Sequence, residues 1–284
     1  MTQSVCAYCK SPETLTREHL WPASLHSRLA TANQQTLKAF WLARLQREIP
    51  SEPQIRDVCA RCNNVVLSEL DAYVCQLFDS TLMRILDRNE PVVFEYDYHL
   101  LKRWLLKMCF NSARIHNSRD LYALEAVLPY MLGKSIALGN SVQLFVQLAY
   151  PEEIPEGDLS ADAPSGRPLY FKPTMHRVGH IFFRVPDVGQ KLLRAVHLRS
   201  FSFFLAFFKS GEARTASNDF AEHFCRHTGA VLLRPSRPKI QLLCNGIGAW
   251  TSFKGSRSNE LVFDNDAQPL NTPDLSEKPL RSVN

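Results

Sequence analysis

The sequence predicts an α+β protein with a cysteine-rich N-terminal module, and three observations predict it. Two Cys-x2-Cys pairs, Cys6/Cys9 and Cys59/Cys62, fall within the first 70 residues. Between residues 63 and 132 apolar residues recur at helical spacing. Beyond Gly139 the texture changes to alternating runs of strand length.

Each element follows from its own pattern. Between the cysteine pairs, Leu37, Phe40, Trp41 and Leu45 lie near helical spacing, and Pro50 and Pro53 follow, so a helical insert is expected over 36–48. Residues 63–88 read as a helix with Leu67, Leu70, Val74, Leu77 and Phe78 on one side. A second helix is expected over Tyr98–His116, and a third over 120–132, stopped by Gly133. Strands are expected at Val142–Tyr150, 169–172, 180–185 and 193–208, with 151–168 as a loop. The last strand carries Phe201, Phe203, Phe204, Phe207 and Phe208, which read as sheet core. A short helix over 218–228 is capped by Asn218 and stopped by Gly229. The chain divides into a module over 1–90, a helical plus antiparallel α+β region over 91–262, and a polar tail over 263–284.

Composition narrows the function class. Apolar residues make up 45% of the 284 and the net charge is +5. No apolar run reaches the roughly 18 residues that span a bilayer. The opening Met1-Thr2-Gln3-Ser4 lacks the basic-then-apolar plan of a signal peptide, so a cytoplasmic protein without a membrane is expected. Eight cysteines are too dilute for a disulfide scaffold, and paired cysteines in a reducing compartment suggest metal. Basic residues gather where acids are absent, over 98–119 and 223–259, which suits a polyanion such as nucleic acid. In the helix from Tyr98, Arg103, Lys107 and Arg114 fall within one arc, and Leu101, Trp104, Leu105, Met108 and Ile115 on another. The apolar arc is expected to pack inward. The basic arc either tracks a phosphate backbone or is a solvated face.

The chemistry-bearing residues lie in the module. Two Cys-x2-Cys pairs supply the four thiolates of a closed, tetrahedral structural Zn2+ site: Cys6, Cys9, Cys59 and Cys62. Between them stands Thr16-Arg17-Glu18-His19-Leu20-Trp21-Pro22, and Asn63-Asn64 follows the last cysteine. An acid-His dipeptide with proline three residues on, framed by Cys-x2-Cys and Cys-x2-Cys-Asn, resembles the HNH endonucleases. The resemblance covers residues 5–70. It implies a ββα-metal, treble-clef-like module, a hairpin and a helix clasping one divalent cation, that hydrolyses phosphodiester bonds of DNA. By that resemblance His19 is the general base, Glu18 and Asn63, or Asn64 in its place, hold a catalytic Mg2+ or Mn2+, and anti-phage defence, restriction or mobility of a genetic element are the settings such proteins serve. An imidazole is a competent proton acceptor near neutrality, and oxygen ligands suit a hard ion. Arg17 and Arg61 flank the site and are candidates to hold phosphates.

The sequence departs from the family pattern at four points. Glu18 replaces the commoner Asp, Gln54 stands where a loop-propping Asn is usual, Val66 replaces a Lys, and the gap from His19 to Cys59 is long. The C-terminal region is expected to select the substrate or a partner protein. The rival reading is a non-catalytic zinc-binding module that binds nucleic acid or protein. It keeps the four cysteines but has no need of Glu18, His19 and Asn63 together. Two further histidine pairs have four-residue spacing: His223/His227 lacks the Glu of a zincin motif, Phe224 standing in its place, and Gly179 with strand-like surroundings is expected to hold His176 and His180 apart.

Overall fold

The structure is a computed structural model that describes residues 5–33, 40–42, 45, 47–49, 52–136, 138, 141–159, 168–185, 189–209, 212 and 214–260. The expected tail over 263–284 lies outside these residues. The chain is a mixture of helices and mainly antiparallel sheet, with a four-cysteine cluster near its N-terminus.

Strand β1 (Leu15–His19) leads into helix α1 (Ala23–Asn33), a small antiparallel pair β2 (Phe40–Leu42) and β3 (Arg47–Ile49), and then β4 (Gln54–Cys59). β4 returns antiparallel beside β1, pairing His19 with Gln54 and Leu15 with Cys59. The register shifts between Thr16 and Arg17, an irregularity that re-aims the side chains beyond it. Glu18 is buried and Arg17 exposed. The helix expected over 36–48 is therefore corrected. Its described parts are the strands β2 and β3 and the single residue Leu45, while 36–39, 43, 44 and 46 lie outside the described residues. Aromatic and β-branched residues such as Phe40, Trp41 and Ile49 suit a pleated pair, and that preference wins over a short helical spacing.

After β4 the chain turns at Cys62 into one long helical segment. It opens with π-helical turns (Cys62–Leu67), continues as α2 (Ser68–Leu77) and ends in π-helical turns (Phe78–Leu82). Strand β5 (Pro91–Glu95) follows, and then α3 (Tyr98–His116), whose limits match the expectation. The Asp97 carboxylate caps α3 by accepting from the Leu100 amide, and Asn117 ends it in the left-handed region. The third expected helix is instead two short ones, α4 (Leu121–Glu125) and α5 (Leu128–Met131). Pro129 explains the break, since it fits only the first turn of a new helix. Gly133 stops the pair at φ +71°.

The C-terminal half is a six-stranded sheet. Its members are β6 (Val142–Tyr150), β9 (His176–Val185), β10 (Gly189–Leu198), β11 (Phe201–Phe207), β12 (Val231–Leu232) and β14 (Ile247–Gly248). The order is β12-β6-β11-β10-β9, and β14 runs parallel to the far end of β6. Two further pairs, β7 (Glu152–Glu153) with β8 (Tyr170–Phe171) and β5 with β13 (Lys239–Leu243), flank it. The single strand expected over 193–208 is a hairpin, turned at Arg199 and Ser200. Arg199 takes φ +53° without the glycine or asparagine that would have announced a turn.

Alternation along these strands divides the interior. Leu144, Val146, Leu148, Phe201, Phe203 and Leu205 face a core shared with α3 and the cysteine module. Phe145, Phe183, Phe204 and Ala206 face the other way, under α6 (Arg214–Thr228), which presents Phe220 and Phe224. Both faces are covered, which is why β6 and β11 read as near-continuous apolar runs. Phe224 touches Phe145, Phe183 and Phe204. Phe224→Ala is expected to destabilise the chain by about 3–5 kcal/mol, read from denaturant unfolding. A loss below 1 kcal/mol would contradict this packing. A final helix, α7 (Ala249–Glu260), went unannounced because its sequence lacks an apolar stripe.

Candidate functional site

The two knuckles meet. The four sulfurs of Cys6, Cys9, Cys59 and Cys62 lie within 4.8 Å of one another, and those of Cys9 and Cys59 are 3.7 Å apart. A tetrahedral ion with Zn–S near 2.3 Å sets its sulfurs about 3.8 Å apart, so the set fits a structural zinc. Backbone amides of Cys59 and Cys62 donate to the sulfurs of Cys6 and Cys59. Burial opposes ionisation of Cys9, but hydrogen bonds from Ser11 and the neighbouring thiols bring it down to about 6. Burial, followed by the surrounding sulfurs, pushes Cys62 upward.

Beside this cluster is a cavity of about 690 Å³, lined among others by Arg17, Glu18, His19, Asn63, Asn64 and Asp71. β1 brings Glu18 and His19, and the opening turn of the long helix brings Asn63. The Asn63 side-chain nitrogen donates to the Thr16 hydroxyl and the Arg17 carbonyl, both at 2.9 Å. That ties the amide to β1 through its nitrogen, so its oxygen is the atom that could be offered to a cation. Glu18 is 6% exposed. Its Oε1 accepts from Lys107 Nζ at 3.0 Å and from Asn111 Nδ2 at 3.2 Å. Two oxygen donors lining one cavity suit a hard cation better than a soft one.

His19 is held by a residue that the sequence did not single out. Its Nδ1 lies 2.8 Å from Glu52 Oε2. The other carboxylate oxygen accepts from the Trp21 amide and lies 3.2 Å from His26 Nε2. A carboxylate on Nδ1 selects the tautomer that protonates Nδ1 and leaves Nε2 as the acceptor. The Gln54 amide nitrogen is 3.5 Å from one ring nitrogen and 3.3 Å from the other. With Nδ1 protonated the ring has a single lone pair, on Nε2, so the Gln54 amide at 3.3 Å donates to Nε2 and occupies the acceptor position in this structure. Glu52 had no local signal, because it lies 33 residues from His19 and meets it only through the β1–β4 pairing.

Of the basic arc of α3, Lys107 and Arg114 are paired with acids inside the protein, and Arg103 is partly buried. Lys107 is 1% exposed and sits between two acids, with Nζ 2.7–2.8 Å from the Asp71 carboxylate besides its contact with Glu18. Burial pushes Asp71 upward, and Lys107 opposes this. Arg114 pairs with Asp57, donates to Asn111 Oδ1 and stacks on Tyr8 and Phe110. Arg103 donates to the Met131 carbonyl. Helical spacing had separated the basic arc from the apolar one, but it could not show that Asp71 of α2, Glu18 of β1 and Asp57 of β4 would pair with Lys107 and Arg114. Arg17 and Arg61 are exposed, Arg17 at the cavity and Arg61 at the start of the long helical segment.

No family model, curated protein or solved structure matches the chain. No helix among the described residues is long and apolar enough to cross a membrane.

Neither of the two further histidine pairs gathers a third metal ligand among the described residues. His223 and His227 stack with ring centres 3.9 Å apart on α6. His176 packs on Trp21 and His26, apart from His180. Burial drives His176 and His197 down to about 3 and His180 to about 4. An unfolded histidine titrates near 6.5, so in this window the unfolded chain binds more protons than the folded one. The three therefore contribute stability above about pH 6.5 that is lost as pH falls towards 3–4. The melting temperature is expected to drop steadily between pH 7 and 4.5, and a flat profile there would show these rings to be solvated.

Proposed function

We propose that the chain is a metal-dependent DNA endonuclease of HNH type, built on a zinc-stapled ββα-metal module. The observation that carries this reading is that His19, Glu18 and Asn63 line one cavity while Glu52 holds His19 by Nδ1. The zinc-binding-module reading explains the cysteines but gives no role to a carboxylate-oriented imidazole on a cavity wall.

The chemistry follows from those groups. Nε2 of His19 takes a proton from water as its oxygen bonds to phosphorus. The phosphorus–O3′ bond breaks, and the departing oxygen takes a proton from solvent, leaving 5′-phosphate and 3′-hydroxyl ends. The imidazolium that forms is stabilised by Glu52. Glu18 and Asn63 would hold a Mg2+ or Mn2+, which supplies positive charge for the pentacovalent state and the leaving oxygen. Arg17, exposed at the cavity, is the residue that would hold a flanking phosphate.

The test is nicking of supercoiled plasmid by purified zinc-loaded protein, with and without added Mg2+ or Mn2+. Cleavage that requires the added ion supports the reading, and its absence with both ions favours a binding module. Glu52→Gln is expected to slow nicking by about 10²-fold or more, because an amide no longer enforces the tautomer. An unchanged rate would remove Glu52 from the site.

A further inference from the structure

We propose that Asn111, from the middle of α3 and outside the HNH-like segment, is a positioning residue for this site. The assignment rests on the nuclease reading above. One side-chain nitrogen of Asn111 reaches two consecutive residues of β1. It donates to Glu18 Oε1 at 3.2 Å and to the His19 carbonyl at 3.1 Å. It thus ties a metal-ligand candidate and the backbone of the base to one rigid helix. Asn111 is 1% exposed, so no water shares these bonds freely.

The orientation of the amide is fixed by what surrounds its oxygen. Oδ1 accepts from the Tyr8 hydroxyl at 2.6 Å and from an Arg114 guanidinium nitrogen at 2.5 Å. A guanidinium has no acceptor, so a flipped amide would set donor against donor. Arg114 is itself held by Asp57 on β4. Lys107, one turn earlier on α3, meets the same Glu18 oxygen, leaving Oε2 as the oxygen without a partner among the described residues. A buried polar network of this kind stabilises a fold less than apolar packing would. What it provides here is direction: Glu18 presents one chosen oxygen to the cavity. Tyr8 lies between the ligands Cys6 and Cys9, so the Tyr8–Asn111–Glu18 path joins the zinc knuckle to the cavity.

The test uses the full chain with Asn111→Ala and the milder Tyr8→Phe, each checked for zinc content and helical signal. Mn2+ binding is followed by electron paramagnetic resonance without DNA, and nicking is resolved into kcat and KM. Asn111→Ala is expected to weaken Mn2+ binding and lower kcat by about 10–100-fold each, with KM for plasmid and zinc content unchanged. Tyr8→Phe is expected to shift the same quantities by a smaller factor in the same direction. A residue that merely supports the fold would lower stability without this pattern. Zinc-loaded variants that match an active wild type in Mn2+ affinity and kcat overturn the assignment. If Asn111→Ala does not fold, unchanged values for Tyr8→Phe overturn it equally. A wild type that neither binds Mn2+ nor nicks overturns the nuclease reading, and this assignment with it.

Discussion

His19→Ala is expected to give a folded, zinc-loaded protein that still binds DNA but nicks it at least about 10²–10⁴-fold more slowly. The ring is partly exposed, with 39% of its side chain open to solvent, so its removal leaves no cavity in the core. Neither Glu18 nor Asn63 depends on it: the first is held by Lys107 and Asn111, the second by Thr16 and Arg17. Loss of rate with retained zinc therefore reports on proton transfer alone. A variant that cuts at the wild-type rate would return the site to the zinc-binding-module reading.

The second large effect concerns the zinc itself. Cys59→Ser, or exhaustive chelation, is expected to unfold the N-terminal module. Structural zinc contributes about 10–16 kcal/mol of apparent binding free energy in small zinc-folded peptides, which matches or exceeds the 5–15 kcal/mol of a typical domain. The damage should spread, because Cys6, Cys59 and Cys62 belong to the same buried core as Trp104, Phe110 and Phe203. Elemental analysis paired with a melting curve decides it. Soluble, zinc-free protein melting within a few degrees of the wild type would rule out the structural zinc.

How much was legible depended on whether a signal was local. The four cysteines announced their cluster because ligand spacing is a property of neighbours in sequence. α3 and β6 were found to the residue, since a long periodic helix and a doubly buried strand write their environment into consecutive positions. The turn at Arg199 was invisible because Arg199 takes the left-handed conformation without being glycine or asparagine, and Ser200 alone is too weak a signal to break an apolar run. Pro129 lay in plain view, yet it was absorbed into a helix that it divides. At the site, the sequence offered Glu18, His19 and Asn63 but not the partners that orient them. Glu52, Lys107 and Asn111 come from 33 to 93 residues away and acquire meaning only once β4 and α3 are laid beside β1. The same gap hid the pairing of Lys107 and Arg114, because the acids they meet are remote in sequence.

The burial of Lys107 between Glu18 and Asp71 has a consequence for how the protein should respond to ionic strength. Mobile ions weaken interactions between exposed charges beyond about 8 Å at physiological concentrations, but they do not enter a closed interior. Arg17 and Arg61, which face solvent, feel that screening fully, whereas the ammonium clasped by two carboxylates does not. If the chain is the nuclease proposed above, raising the salt is expected to weaken its encounter with DNA and to leave the architecture behind Glu18 untouched, so that KM rises while kcat holds.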